Sequence, residues 1–230
     1  MGRRSHRGPS VTDHTFLFAD MAGFTALTEV HGDEQAADLA GEFCATVRGL
    51  LEPREGEVIK AIGDALMLRL RRPEHAVLLG LAVVHEVGAQ HRFPSIRVGM
   101  HTGTAVERSG DWFGATVNLA ARVSAAAGGG EVLLTEATKR AAGDVRGVEL
   151  RESGRRELRN VAAPVLLFSA VALGSMSPRG LPIDPVCRMA VDPSHGAGML
   201  RHDGAELYFC SLSCARMFAA APERYTSGPS

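Results

Sequence analysis

Two acids stand where this chain changes direction. Asp20 closes a short apolar run, His14 to Ala19 (HTFLFA), just before M-A-G-F-T. A strand that ends in an acid ahead of a glycine-containing turn either sets a carboxylate beside a phosphate-bound Mg²⁺ or caps the turn that follows. Asp64 belongs to Gly63-Asp64, a two-residue gap between the apolar runs Val58 to Ile62 and Ala65 to Leu70. Glycine in the first place suits a tight II′ hairpin turn, with the carboxylate at an exposed tip. Lys60 interrupts the first of these runs. An unpaired ammonium is costly to bury, so Lys60 faces a ligand, a partner subunit or solvent. Asn118 and Arg122 are four apart near the start of a helical pattern and share a face. Such a pair suits an anion that gains charge in a transition state, or it is an ordinary solvated pair. Cys210 and Cys214 would also share one helix face, and Cys187 could complete a three-thiolate cluster for Zn²⁺ or Cu⁺. The other reading of these thiols is buried packing. Asp184, His195 and His202 are the candidates for a fourth ligand.

The elements that must carry these residues follow from hydrophobic spacing. His14 to Ala19 reads as a buried strand, and Val58 to Leu70 as a hairpin. A helix opens at Asp33-Glu34, with Ala36, Leu39, Phe43, Val47 and Leu50 at three- and four-residue steps and Pro53 beyond its end. Cys44, inside it, reads as a small buried hydrophobe. Pro73 starts a second helix through roughly Ala89, and His75, His85 and His91 punctuate that region without ligand spacing. Ile96 to His101 alternates as a strand, with Thr104 to Glu107 continuing it. A loop holding Asp111 leads to a helix from about Thr116 to Ala127. Further strands are expected at Glu131 to Leu134, Val148 to Arg151 and Val165 to Val171, with a short helix capped by Thr135. Strands alternating with helices predict an α/β sandwich with helices packed on a sheet.

At 230 residues the chain suits one ordinary domain plus a small appendage. Its 25 Lys and Arg nearly balance 26 Asp and Glu, which argues against nucleic acid as a partner. Apolar runs are too short or interrupted for a membrane span. The first ten residues carry arginine but no apolar h-region, so residues 1–13 read as a disordered tail and the compartment as cytoplasmic. A reducing compartment favours thiols or metal ligation over disulfides. Gly174 to Pro182 is rich in Gly, Ser and Pro and reads as a linker to a unit at 183–226, where Asp203-Gly204 marks a hairpin and a helical pattern follows Cys210.

F-A-D-M-A-G-F-T (18–25), I-K-A-I-G-D-A-L-M (59–67) and G-D-W-F-G-A-T-V-N-L-A-A-R (110–122), in this order, resemble the catalytic domain of class III nucleotidyl cyclases. The resemblance spans about Phe16 to Val171 and implies a ferredoxin-like core with a mainly antiparallel sheet. It further implies that Asp20 and Asp64 bind two Mg²⁺ or Mn²⁺ ions, and that Lys60 and Asp111 read the base. Asn118 and Arg122 would be the transition-state pair. Arg159 stands where the family often has lysine, as a triphosphate contact. An ammonium donor and a carboxylate acceptor match adenine N1 and its 6-amino group, whereas guanine sets donor against donor, so ATP is the expected substrate. The implied product is 3′,5′-cyclic AMP, made by a head-to-tail homodimer whose sites are shared between subunits. The alternatives are a guanylate cyclase, or a non-catalytic nucleotide-binding sensor. D-P-V-C-R-M (184–189) and Y-F-C-S-L-S-C (208–214) resemble the small YHS/TRASH-type metal-binding module.

Overall fold

A computed structural model describes residues 13–88, 90, 92–173 and 181–226. The expected tail up to residue 12, most of the expected linker, His91 and the expected helix end at Ala89 lie outside the described residues. Seven strands form one sheet in the order β2-β3-β1-β4-β7-β9-β8. They are β1 (His14–Met21), β2 (Gly56–Ile62), β3 (Ala65–Leu70), β4 (Ile96–Gly103), β7 (Val132–Thr135), β8 (Val148–Arg156) and β9 (Val165–Ala172). β4 and β7 run parallel, and every other neighbouring pair is antiparallel. The α/β sandwich and its mainly antiparallel sheet are therefore as the sequence led us to expect.

Helices cover both faces, which is why β1 is apolar at nearly every position. Leu17, Ala19 and Met21 point to a core shared with α2 (Asp33–Leu51) and α3 (Pro73–Ala82). Phe16 and Phe18 point the other way, onto Val117 and Ala120 of α4 (Ala115–Ala126). The expected second helix is α-helical only to Ala82 and then widens into a π-helical turn, Val83–Val87. The wider turn lets Val83, Val84 and Val87 all be buried. β4 stops at Gly103, and a separate strand, β5 (Val106–Arg108), pairs with β6 (Asp111–Phe113) as an arm beside the sheet. The sequence reading has no counterpart for α1 (Phe24–His31), between β1 and α2, and expects a loop at the residues of β6. A short helix, α5 (Glu136–Ala142), follows β7 and is capped by the Thr135 side chain, as expected.

α4 sits directly on β4. A Cβ at Gly99 would lie 1.9 Å from the Ser124 backbone nitrogen, so only glycine allows this approach. Gly99→Ala is expected to destabilise the protein by about 3 kcal/mol, because the obstacle is helix backbone and cannot rotate away. Urea unfolding measures this, and an unchanged midpoint would contradict the seating of α4 on β4.

The C-terminal segment forms a hairpin, β10 (Gly198–His202) and β11 (Ala205–Phe209), then α6 (Leu212–Ala220) and a final turn α7 (Glu223–Thr226). Its Val186, Met189, Phe209 and Phe218 share an apolar cluster with Leu27 of α1 and Ala36 of α2. Main-chain hydrogen bonds add to this contact, Ser95 N–H donating to Arg188 C=O and Arg92 N–H to Ala190 C=O. No helix among the described residues is long and apolar enough to cross a membrane.

Candidate active site

The antiparallel register builds the acid site. Asp20 lies opposite Ala65 on one side and Arg97 on the other, and Asp64 immediately precedes Ala65 in the turn. Gly63 takes φ +62°, the left-handed backbone that the expected turn needs. The two carboxyl groups are near neighbours, and burial, then the Asp20 charge, pushes Asp64 up to about 6. Asp64 is thus half-buried, and not the exposed tip expected of it. Arg97 Nε donates to Asp20 Oδ2 at 2.6 Å. Two clustered acids with one cationic neighbour offer only oxygen ligands, and this donor set fits a hard divalent cation.

Lys60 owes its direction to a β-bulge. The β2–β3 register shifts between Val58 and Lys60, leaving Ile59 as the extra residue. Ile59 packs on the α4 side of the sheet, and Lys60 also opens to that side, where strict alternation would have separated them. Lys60 Nζ donates to Asp111 Oδ2 at 2.5 Å. This bond holds the Asp111 carboxyl below the usual carboxylate range. The arm carrying Asp111 is pinned by Trp112, whose ring meets His14 and Phe16 edge-on or tilted and lies under the Arg69 guanidinium at 4.8 Å. Lys60, Phe18, Met67, Phe113 and Asn118 line a cavity of about 480 Å³.

Asn118 and Arg122 follow one another along α4, as expected, yet open onto different spaces. Arg122 shares a second cavity of about 810 Å³ with Arg97, Arg156 and Arg159. Arg156 is committed to the fold, donating to Ala126 C=O and to Ser153 Oγ. Arg159 is exposed. The fold therefore groups Asp20 with Asp64, Lys60 with Asp111 beside Asn118, and Arg122 with Arg159. Among the described residues, no hydrogen bond or ion pair joins the two acids to Lys60 or Asn118. Arg97 had escaped the sequence reading, although a charged residue inside I-R-V-G-M-H carries the same signal that drew attention to Lys60.

The model of the adenylate and guanylate cyclase catalytic domain matches residues 8–167. The chain belongs to this family. It is 39% identical over 163 residues to a pH-sensitive adenylate cyclase of Mycobacterium tuberculosis, a match covering 70% of this chain and 41% of that protein. An adenylate cyclase of Streptomyces coelicolor is 35% identical over 120 residues, covering 52% of this chain and 32% of that one. The chain thus spans less than half the length of these curated relatives. In fold, the cyclase domain is similar to adenylate cyclases of Trypanosoma brucei solved in their monomeric state, with a TM-score of 0.65 at 23% identity, over 75% of this chain and 93% of that one.

A second constellation lies on the C-terminal side of the cyclase domain. Cys187 Sγ is 3.3 Å from Cys210 Sγ, which is 3.7 Å from Cys214 Sγ. All are free thiols, and hydrogen bonding within the cluster holds Cys214 low while hydrogen bonding and burial hold Cys187 high. The fourth donor differs from those expected. His195 turns to Asp192 and Ser194, and His202 stacks edge-on against Phe218. Asp184 is fully buried beside the thiols, with its oxygens accepting from the backbone N–H groups of Val186, Cys187 and Cys210. The group that does reach the thiols is His31 of α1, with Nε2 at 3.5 Å from Cys210 Sγ. Its sequence signal was weak: a histidine before Gly32, at the end of an unrecognised helix.

Proposed function

We propose that the chain is the catalytic unit of an adenylate cyclase, converting ATP to 3′,5′-cyclic AMP and pyrophosphate. The observation that carries this reading is the meeting of Asp20 and Asp64 at adjacent strand ends in a member of the cyclase family. The naming of relatives from two genera as adenylate cyclases supports it. When bound by Asp20 and Asp64, two Mg²⁺ or Mn²⁺ ions would acidify the ribose 3′-hydroxyl and neutralise phosphate charge. The chain's own residues do the rest. Lys60 donates to adenine N1 and Asp111 accepts from the 6-amino group, and their mutual hydrogen bond holds the pair together beside the cavity that Lys60 lines. Asn118 orients the ribose, Arg122 meets the charge growing at the α-phosphate, and Arg159 contacts the triphosphate.

The sites are shared between two copies arranged head to tail. Ile62 and Phe113 support this, because they line the Lys60 cavity yet are 50% and 51% exposed, apolar surface that a second copy would cover. We read the C-terminal segment as a YHS/TRASH-like metal-binding module on account of its clustered thiols, and the compartment as cytoplasmic.

The test is to supply the purified protein with Mn²⁺ and either ATP or GTP, and to identify the product. Two mismatched groups at about 1 to 3 kcal/mol each correspond to a preference for ATP of at least about thirtyfold. Cyclic GMP as the main product would move the reading to a guanylate cyclase, and the absence of a cyclic product with either nucleotide would remove it.

A further inference from the structure

The thiol cluster is completed from the far end of the chain. Cys187, Cys210 and Cys214 belong to the C-terminal segment, whereas His31 is the last residue of α1, in the cyclase domain. The four candidate donor atoms lie within 4.8 Å of one another, and Cys214 Sγ is 4.0 Å from His31 Nε2. An ion held tetrahedrally by thiolates at about 2.3 Å and an imidazole at about 2.0 Å would set its ligands roughly 3.5 to 3.8 Å apart. The contacts of 3.3, 3.5, 3.7 and 4.0 Å straddle that range. They are far longer than a disulfide, which measures about 2.05 Å.

The backbone around the cluster is arranged independently of any ion. The buried Asp184 carboxylate ties the loop of Cys187 to that of Cys210 by accepting from both backbone N–H groups. Ser211 caps α6 by accepting from Cys214 N–H. Cys187 and Cys214 are fully buried against Leu27, Ala36, Phe209 and Phe218, and such apolar surroundings exclude water from a metal site.

We infer that His31 joins the three thiols in a closed Zn²⁺ site that staples α1 of the cyclase domain to the C-terminal segment. The inference rests on reading the thiols as metal ligands, and adds the fourth ligand and its consequence. Three thiolates and one imidazole are a ligand set for a tetrahedral structural ion with no open position. The staple reaches toward the acid site. α1 begins four residues after Asp20, and the intervening Gly23 packs so closely on Arg188, next to Cys187, that a Cβ there would lie 2.4 Å from Arg188 Cγ. Ala22 N–H donates to Ser95 C=O, and Ser95 N–H in turn to Arg188 C=O. Holding both ends of this contact with one ion fixes the loop that follows Asp20.

The test uses the reduced full chain under anaerobic conditions, first with Co²⁺ as a spectroscopic probe and then with Zn²⁺ in competition with a chromophoric chelator. The expected result is one equivalent of Co²⁺ with tetrahedral ligand-field and thiolate charge-transfer absorption, and a rise in melting temperature with Zn²⁺. His31→Ala is expected to weaken Zn²⁺ binding at least tenfold and to reduce the thermal shift. His31→Cys is expected to restore binding, with additional charge-transfer intensity, and His85→Ala at an exposed position to change nothing. His31 is only half-buried at a helix end, so its variants are compatible with folding, which circular dichroism checks. Unchanged affinity and cobalt spectrum in His31→Ala would overturn the staple while leaving a thiol site standing. Failure of the wild type to bind either metal would overturn both. Neither readout needs nucleotide, so the outcome is independent of the cyclase reaction.

Discussion

Asp20→Ala and Asp64→Ala are each expected to reduce Mn²⁺-dependent formation of cyclic AMP by at least about 10³-fold, since several kcal/mol of charge stabilisation is lost with the bound cations. The two carboxyl groups are near neighbours, and burial plus mutual repulsion push Asp64 up to about 6. Such an arrangement works against the empty protein. Removing one acid relieves the repulsion that the other suffers, so the melting temperature of either variant is expected to stay within a few degrees of the wild type or to rise. Asp20→Ala also leaves Arg97 without its partner, a partly exposed guanidinium that water can solvate. Loss of turnover with retained stability would separate a catalytic role from a structural one, and calorimetric titration with Mn²⁺ would show the accompanying loss of binding. Undiminished turnover in either variant would remove the two-acid site from the reaction.

The parts of this site that were legible in the sequence are those set by short-range rules. β1 could be read because a strand buried on both faces is a plain apolar run, and the β2–β3 turn because Gly63 must supply a positive φ between two such runs. α2 and α4 could be read from their spacing. α1 could not. Eight residues are too few to form a stable helix alone, and Leu27 is its only fully buried side chain, packed partly against Cys187 and Phe209 some 160 to 180 residues further on. Its existence depends on a contact that no local pattern contains, and with it went His31. The direction of Lys60 was equally hidden, since the bulge at Ile59 is a property of how two strands pair and not of either run. Arg97 illustrates the opposite case. Its charge within an apolar strand was visible, but only the β1–β4 register identifies Asp20 as its partner.

Mixing two inactive variants is expected to restore activity. Within one chain the acids form one group, and Lys60 and Asn118, with Asp111 bonded to Lys60, form another at a cavity edged by the exposed Ile62 and Phe113. A head-to-tail dimer would bring the acids of each copy to the cavity of the other, so that an Asp20→Ala homodimer and an Asn118→Ala homodimer each lack one component at both sites. In the mixed dimer the two defects fall together in one site, and the other site is intact. Random reassortment of equal amounts makes about half the dimers mixed, each with one working site of two, so the expected recovery is about a quarter of wild-type activity. Mixing Asp20→Ala with Asp64→Ala provides the contrast. Both defects strike the same group, every site in every dimer then carries at least one of them, and no recovery is expected. Recovery in the first mixture but not the second requires that each site be built from two chains. Failure of the first mixture, with dimer exchange verified by differently tagged chains, would mean that a single chain contains its whole site.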